Sequence, residues 1–479
     1  MKKIILLFLC FSSLGTMAQK TKNSLAMKKI IADNFALAVK QYQLLEKNTP
    51  QDSLPKTFEK NRNKNSNIYW WTSGFYTGSL LYIYEYTKNP AILIAAKKRL
   101  ALLEPVQHYT GNHDLGFMMY CSYGNAYRLF KNPAYKDIIV QSSKSLATRY
   151  RPNAKAIQSW DVDEEMKKKG LIGPVIIDNM MNLEMLEWAS QNSTDKSFAA
   201  IARNHANITL KNHFRADNSS YHVVDYDFNT GKVHKKVTNQ GTADESAWSR
   251  GQAWGFYGYT MMYRFTKDKR YLEQAQKIEK FIFTNPNMPS DLVPYWDFNA
   301  PGIPNAYRDA SSAAINASAL LELAQYVGKE QSIKYVKTAE KIIRSLSSAT
   351  YLAKPGENGG FLLMHNVGNI PAHSEIDTTL TYADYYFLEA LFNNLTDESV
   401  KVQVYPNPVK DILNINMNGV KCPSEVYVFN LIGRMLLNKK MESTGAQLDV
   451  SGIAAGVYVV KVIGADRKTL IMKKIIKID

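Results

Sequence analysis

The sequence predicts a mainly α fold, a toroid of six helix hairpins, followed by a small all-β, immunoglobulin-like sandwich. Three observations predict it. Residues 23 to about 395 carry helical periodicity, in segments that alternate between two kinds. About six such pairs recur roughly every 60 to 70 residues, the mark of a repeating helical architecture. After Thr396 the texture turns to short β-type runs separated by turn signals.

The first kind of segment is ordinary and amphipathic: 24–46, 90–106, 134–149, 196–213, 269–284 and 330–347. In 269–284, Tyr271, Ala275, Ile278, Phe281 and Ile282 share one face, with Lys and Glu opposite. These are the outer ring. The second kind is rich in aromatic and small residues: 72–87, 114–130, 178–192, 246–266, 310–326 and 378–394. Gly74-Phe75-Tyr76-Thr77-Gly78 and Ser311-Ser312-Ala313-Ala314 show the pattern, which suits helices crowded around an axis. These are the inner ring.

Each inner segment starts at a polar or aromatic cluster: Trp70-Trp71-Thr72, His113-Asp114, Asp178-Asn179, Ser246 to Arg250, Asp309-Ser311-Ser312 and Asp377-Thr378. Inner helices of an alternating ring run the same way, so their N-termini gather at one rim. Six positive dipole ends there favour an anionic ligand. Trp70, Trp71, Trp160, Trp248 and Trp254 fall near the same rim and suit sugar faces; singly, each fits a core position as well. Asp178 stands where the apolar Val175-Ile176-Ile177 run meets a helix apolar on most sides. Its carboxylate fits an N-cap, and equally an acid–base group held in a pocket. Ser220 to Tyr226 and Gly231 to Val233 predict a hairpin turning at Asn229-Thr230-Gly231, with His222 on a wall of the rim pocket.

The chain has 479 residues, enough for one large core and a smaller domain. Lys2-Lys3, the apolar run to Cys10 and Thr16-Met17-Ala18 predict a signal peptide over 1–18, with the barrel over 19–398. No later stretch is long and apolar enough for a transmembrane helix. The three cysteines make no disulfide framework, and no zinc spacing occurs. Of the net charge of +16, +8 belongs to residues 19–400 and +6 to 401–479. A basic secreted body suits an anionic polymer, or simply a solvated surface. No nucleic-acid-binding signature accompanies the charge. In the tail, Val402 to Tyr405, Ile412 to Ile415, Val426 to Phe429, Arg434 to Leu437, Val457 to Val462 and Leu470 to Ile476 read as strands, with the boundary near 397–403.

Two resemblances follow. Trp71 to Phe75, His113 to Phe117, Asp178 to Asn182, Tyr221 to Val224, Gln240-Gly241 and Ser246 to Gly255 come in the order of the family 88 glycoside hydrolases, the unsaturated glucuronyl hydrolases, which are (α/α)6 barrels. The match covers most of 60–390. Val404-Tyr405-Pro406-Asn407-Pro408, Val428 to Gly433 and Gly456-Val457-Tyr458 resemble the type A sorting domain of the Bacteroidetes type IX secretion system, over 402–479. The first resemblance implies Asp178 as general acid/base and Asp114 as the second essential carboxylate. It implies Trp71, Phe75, His113, Trp160, His222, Gln240, Gly241, Thr242, Arg250 and Trp254 around the substrate. Ser73 departs from the acidic residue expected in relatives, which bears on the pocket entrance.

The implied substrate is an acidic oligosaccharide, with or without sulfate, ending in a 4,5-unsaturated uronate left by a polysaccharide lyase. The reaction hydrates a vinyl ether and requires no metal or organic cofactor. Two crowded carboxyls supply one protonated and one ionised partner. Arg250 suits the substrate carboxylate. Competing readings are an unsaturated rhamnogalacturonyl hydrolase, a sugar epimerase working through paired histidines, and a non-catalytic glycan-binding protein. Among polymers, ulvan is the leaning, ahead of glycosaminoglycans. The tail implies the type IX machinery as partner and a secreted or outer-membrane surface location, reached through the periplasm.

Overall fold

A computed structural model describes residues 2–397, 401–418, 422–443, 445–465 and 469–479, without side chains for 2–24, 396–397, 401–403 and 418. The chain divides into two compact units, Met1–Asn394 and Leu395–Asp479. The expected leader, 1–18, has no described side chains, and the domain boundary expected near 397–403 includes 398–400, outside the described residues.

The first unit is the toroid. Its outer helices are Lys2–Asn48, Pro90–Leu103, Pro133–Ala147, Ser197–Asn212, Lys269–Thr284 and Lys329–Leu346. The inner ring comprises Ser73–Thr87, Gly116–Phe130, Ile177–Asn192, Ser249–Thr266, Ala310–Tyr326 and Thr381–Asp397. Two inner members are irregular at the rim. Gly116–Gly124 is π-helical before an α-turn, and Ile177–Asn182 is a 3-10 segment before the α-helix Leu183–Asn192. The ring closes where Ser318 Oγ and Tyr82 Oη donate to Glu389 of the last inner helix at 2.6 and 2.9 Å.

Packing explains the composition of the two rings. The inner helix Ala310–Leu323 buries nearly every residue, whereas Lys269–Thr284 buries only the Tyr271, Ala275, Ile278, Ile282 face. A Cβ on Gly74 would lie 2.2 Å from the Met118 carbonyl oxygen, so the first two inner helices meet only because no side chain intervenes. Three hairpins turn alike. Lys88, Lys131 and Lys267 end inner helices in the left-handed region, and Asn89, Asn132 and Asp268 then cap the next outer helix.

Short β elements decorate the rim. The hairpin expected after Ser220 is Val223–Tyr226 paired with Val233–Val237, and Pro174–Ile176 joins it as a third antiparallel strand. Hairpins Leu54–Ser66 and Asn366–Thr378 were not anticipated. Asp377 therefore lies in a strand; the last inner helix begins at Thr381.

The second unit is two antiparallel sheets. One holds Lys401–Tyr405, Ile412–Asn418 and Gly445–Asp449; the other holds Met435–Met441, Ser424–Asn430, Gly456–Ile463 and Thr469–Lys477. Alternate residues such as Leu413, Ile415, Val426, Val428, Val460 and Val462 form its core. Within the second unit, Gly445–Asp449, a polar edge strand, is the one described strand that the sequence pattern does not predict.

Candidate active site

The rim of the toroid holds a cleft with about 420 Å3 of empty space, lined by Trp71, Asp114, Trp160, Ile176, Asp178, Asn239, Gln240 and Arg250. Asp114 precedes the π-helical segment, and Asp178 sits in the 3-10 turn that follows Ile176. Of the two readings of Asp178, the helix cap does not hold. The cap position is Ile176, no side chain caps that turn, and Asp178 Oδ2 has no hydrogen-bond partner. Its carboxylate is thus left to face the cleft. Gly116 lets the two acidic turns approach, since a Cβ there would fall 2.5 Å from the Asn182 Cα.

Both carboxyls are nearly buried, Asp114 at 8% and Asp178 at 7% exposure. Burial and the Asp178 charge push Asp114 up to about 8, against a lowering by Arg149. Burial pushes Asp178 up to about 7, although Arg250 opposes it. Each raises the cost of ionising the other, so the pair retains a proton near neutral pH.

Two histidines flank the pair. His113 Nε2 is 3.4 Å from Asp114 Oδ1, and His222 Nε2 is 3.7 Å from Asp178 Oδ2. Backbone N–H groups of Asn239 and Gln240 donate to His222 Nδ1 at 3.0 and 3.2 Å, so the neutral ring carries its proton on Nε2, towards Asp178. Burial pushes both rings down to about 3, with Arg149 lowering His113 and Arg250 lowering His222. The two histidines border one site, as the resemblance implies, and burial disfavours the charged form of each.

Arg250 is more constrained than expected. Its Nη1 donates to Asp309 Oδ2 at 3.0 Å and to the Val367 carbonyl, and its Nη2 donates to the Gly368 carbonyl at 2.7 Å. Only Nε lacks a partner. The guanidinium also lies over the Trp248 and Tyr382 rings, at 4.6 and 5.2 Å. Gly368 accepts from Gln240 Nε2 at 3.2 Å as well, so one hairpin carbonyl positions two cleft residues.

The remaining expected residues separate by depth. Trp71 and Trp160 line the cleft. Phe75, Trp248 and Trp254 are buried behind it, and Trp254 directs its indole N–H at Asp178 without closing a hydrogen bond. Gly241 and Thr242 are off the cleft. Their N–H groups donate to Thr238 Oγ1 and Asp297 Oδ2 and shape the loop that presents Gln240. Ser73, expected to bear on the entrance, is buried in the first inner helix. Asp309, Arg149, Asn239 and Tyr382 act on the site and were not singled out for it. The paired residues lie far apart in the chain and carried no local signal.

Comparison with known proteins agrees with this geometry. Residues 45–390 match Glycosyl Hydrolase Family 88, and 403–478 match the secretion system C-terminal sorting domain. An unsaturated glucuronyl hydrolase of Formosa agariphila is 46% identical over 322 residues, 67% of this chain and 79% of that protein. An unsaturated chondroitin disaccharide hydrolase of Streptococcus pyogenes serotype M1 is 31% identical over 383 residues, 79% of this chain and 94% of that protein. A crystal structure of an unsaturated glucuronyl hydrolase specific for heparin superimposes with TM-score 0.74 at 43% identity, over 77% of this chain and 97% of that one. The toroid, its acidic rim cleft and these matches place the chain in glycosyl hydrolase family 88, as a glycosidase carrying a C-terminal secretion sorting domain.

Proposed function

We propose that the enzyme removes a 4,5-unsaturated uronate from the non-reducing end of lyase-generated oligosaccharides by hydrating the C4=C5 vinyl ether. The observation that supports this most is the pair of buried carboxyls, Asp114 and Asp178, both raised into the neutral range. Hydration needs one carboxyl that gives a proton to C4 and then takes one from the water adding at C5. The resulting hemiketal opens and releases the remaining sugar. A carboxylate that stays ionised nearby stabilises the cationic stage.

Asp178 is the proton donor in this reading and Asp114 the ionised partner. Burial raises both carboxyls, and Arg250 works against the rise of Asp178. A uronate carboxylate bound beside Arg250 would offset that field and raise Asp178, drawing the proton to it. The unpartnered Nε of Arg250 is the donor available to such a carboxylate. Trp71 and Trp160 present aromatic surface to the sugar rings. A binding-only role leaves unexplained why two acidic side chains are buried in one cleft, where ionising them is costly.

Glycosaminoglycan oligosaccharides are the favoured substrates, because the relatives above are described by heparin and chondroitin disaccharides. Ulvan oligosaccharides are the second choice. Release to the medium or attachment at the cell surface follows from the sorting domain, with the type IX machinery as its partner. The test is loss of the double-bond absorbance on a panel of heparin, chondroitin and ulvan lyase products. No loss on any member would overturn the hydration reading; loss on the ulvan product alone would overturn the substrate preference.

A further inference from the structure

The toroid holds a second cavity apart from the acidic cleft. It has about 1270 Å3 of empty space counting its mouth, against about 420 Å3 at the rim. Its walls come from all six inner helices, from Tyr82 on the first to Asn393 on the last; Gly116, Phe117 and Met181 form its inner end, and Arg128, Lys131, Trp188, Phe265, Glu322 and Asn393, on later turns, its outer part. It therefore opens at the opposite end of the axis, with Trp188 ten residues beyond Asp178, roughly 15 Å along the helix direction. An aromatic plug separates the two cavities. Phe117 packs on Trp71 and Trp254 at 5.7 and 5.0 Å, and Trp254 on Tyr386 at 5.3 Å; Phe117 and Tyr386 form the inner wall of the far cavity.

We propose that this far cavity is a second glycan site, taking a neutral mono- or disaccharide. Its aromatic walls include Tyr120, Tyr127, Trp188, Phe265 and Phe392, all only part-buried, and such rings suit the C–H faces of a sugar. Between them stand planar polar groups. Arg264 bridges Glu184 at 2.8 Å and Glu322 at 3.1 Å through one oxygen of each, leaving the second oxygens to accept from hydroxyls. The lining carries three acids, Glu184, Glu322 and Glu389, and three bases, Arg128, Lys131 and Arg264. Arg264 is paired with Glu184 and Glu322, and Arg128 with Glu85, so these charges offset one another and a neutral ligand suits the cavity, in contrast to the uronate expected at the rim. The space suits a disaccharide. Nothing in the rim chemistry depends on this site.

Calorimetric titration of the full chain with methyl β-glucoside, N-acetylglucosamine and glucuronate tests it. One or both neutral sugars should bind saturably, and glucuronate should bind the far site at least roughly tenfold more weakly, a difference of about 1.4 kcal/mol. Trp188→Ala should weaken the neutral sugar about tenfold, Trp188→Phe less, and turnover of the unsaturated substrate should stay unchanged in both. Tyr120→Phe removes only a hydroxyl and serves if the alanine variant does not fold; it should weaken binding severalfold. Trp160→Ala, at the rim, should leave the neutral sugar's affinity intact. Absence of saturable binding, affinity unaffected by Trp188→Phe and Tyr120→Phe, or affinity lost in Trp160→Ala would each overturn the proposal.

Discussion

His222 Nε2 stands 3.7 Å from Asp178 Oδ2, while its Nδ1 is occupied by the N–H groups of Asn239 and Gln240. The loop that carries Gln240 thereby sets which nitrogen faces the acid. Because burial pushes this ring down to about 3, no histidine step belongs in the pH dependence of the enzyme. An NMR titration of His222 between roughly pH 5 and 8 should show a flat neutral imidazole with its proton on Nε2. A step near the ordinary histidine value would contradict the buried, neutral assignment.

Asp178→Asn should abolish turnover and keep the fold. The carboxylate caps nothing, so the variant loses no capping energy. Burial raises its pKa, so ionisation costs the folded state stability. That cost is absent below the unfolded value near 4 and complete above about 7. The variant should therefore match wild type in an acidic melt and exceed it, by roughly 2 °C, at pH 8. Near-normal turnover would refute the proton-donor role.

Asp114→Asn should also lose most activity and should simplify titration. The wild-type pair loses protons in two linked steps, with groups raised to about 7 and about 8. With Asp114 neutralised, one step remains, at lower pH than the upper wild-type step. The alkaline limb of kcat/KM for any residual activity should move down accordingly. An unchanged rate would leave Asp114 without a chemical role.

Asp309→Asn tests how Arg250 is held. The pair is fully buried at 3.0 Å, and removing one charge leaves the other without its counter-ion, a loss of about 3–5 kcal/mol in comparable sites. The carbonyls of Val367 and Gly368 retain part of the grip. The expected result is a lower melting temperature with KM raised about tenfold and kcat changed less. A kcat loss with KM unchanged would mean that Arg250 does not hold the substrate.

Deleting residues 402–479 should leave activity per folded molecule unchanged, since every cleft residue lies in the first unit. In the native host the shortened protein should stay in the periplasm, active and unexported. A melt many degrees lower, or turnover lost while folded, would show that the tail stabilises the barrel.

The sequence by itself determined what depends on local period and order. Apart from the first outer helix, which runs Lys2–Asn48 where 24–46 is expected, the inner and outer helices come within a few residues of their expected spans, because apolar spacing at 3.6 residues dictates which face is buried. The acidic turns were legible as polar clusters at the starts of inner segments, and most tail strands as short β-type runs between turn signals. Tertiary structure alone decided the state of those groups. Asp178 reads as a cap or as an acid–base group, and strand Pro174–Ile176 leads into a 3-10 turn in which it caps nothing and its Oδ2 has no partner. Arg250 reads as a free fork, yet Asp309 and a hairpin more than a hundred residues away occupy it. His113 and His222 are both expected around the substrate, and only the fold sets their distances to Asp114 and Asp178. Burial, charge proximity and hydrogen-bond occupancy arise from residues brought together across the ring, and sequence spacing does not record them.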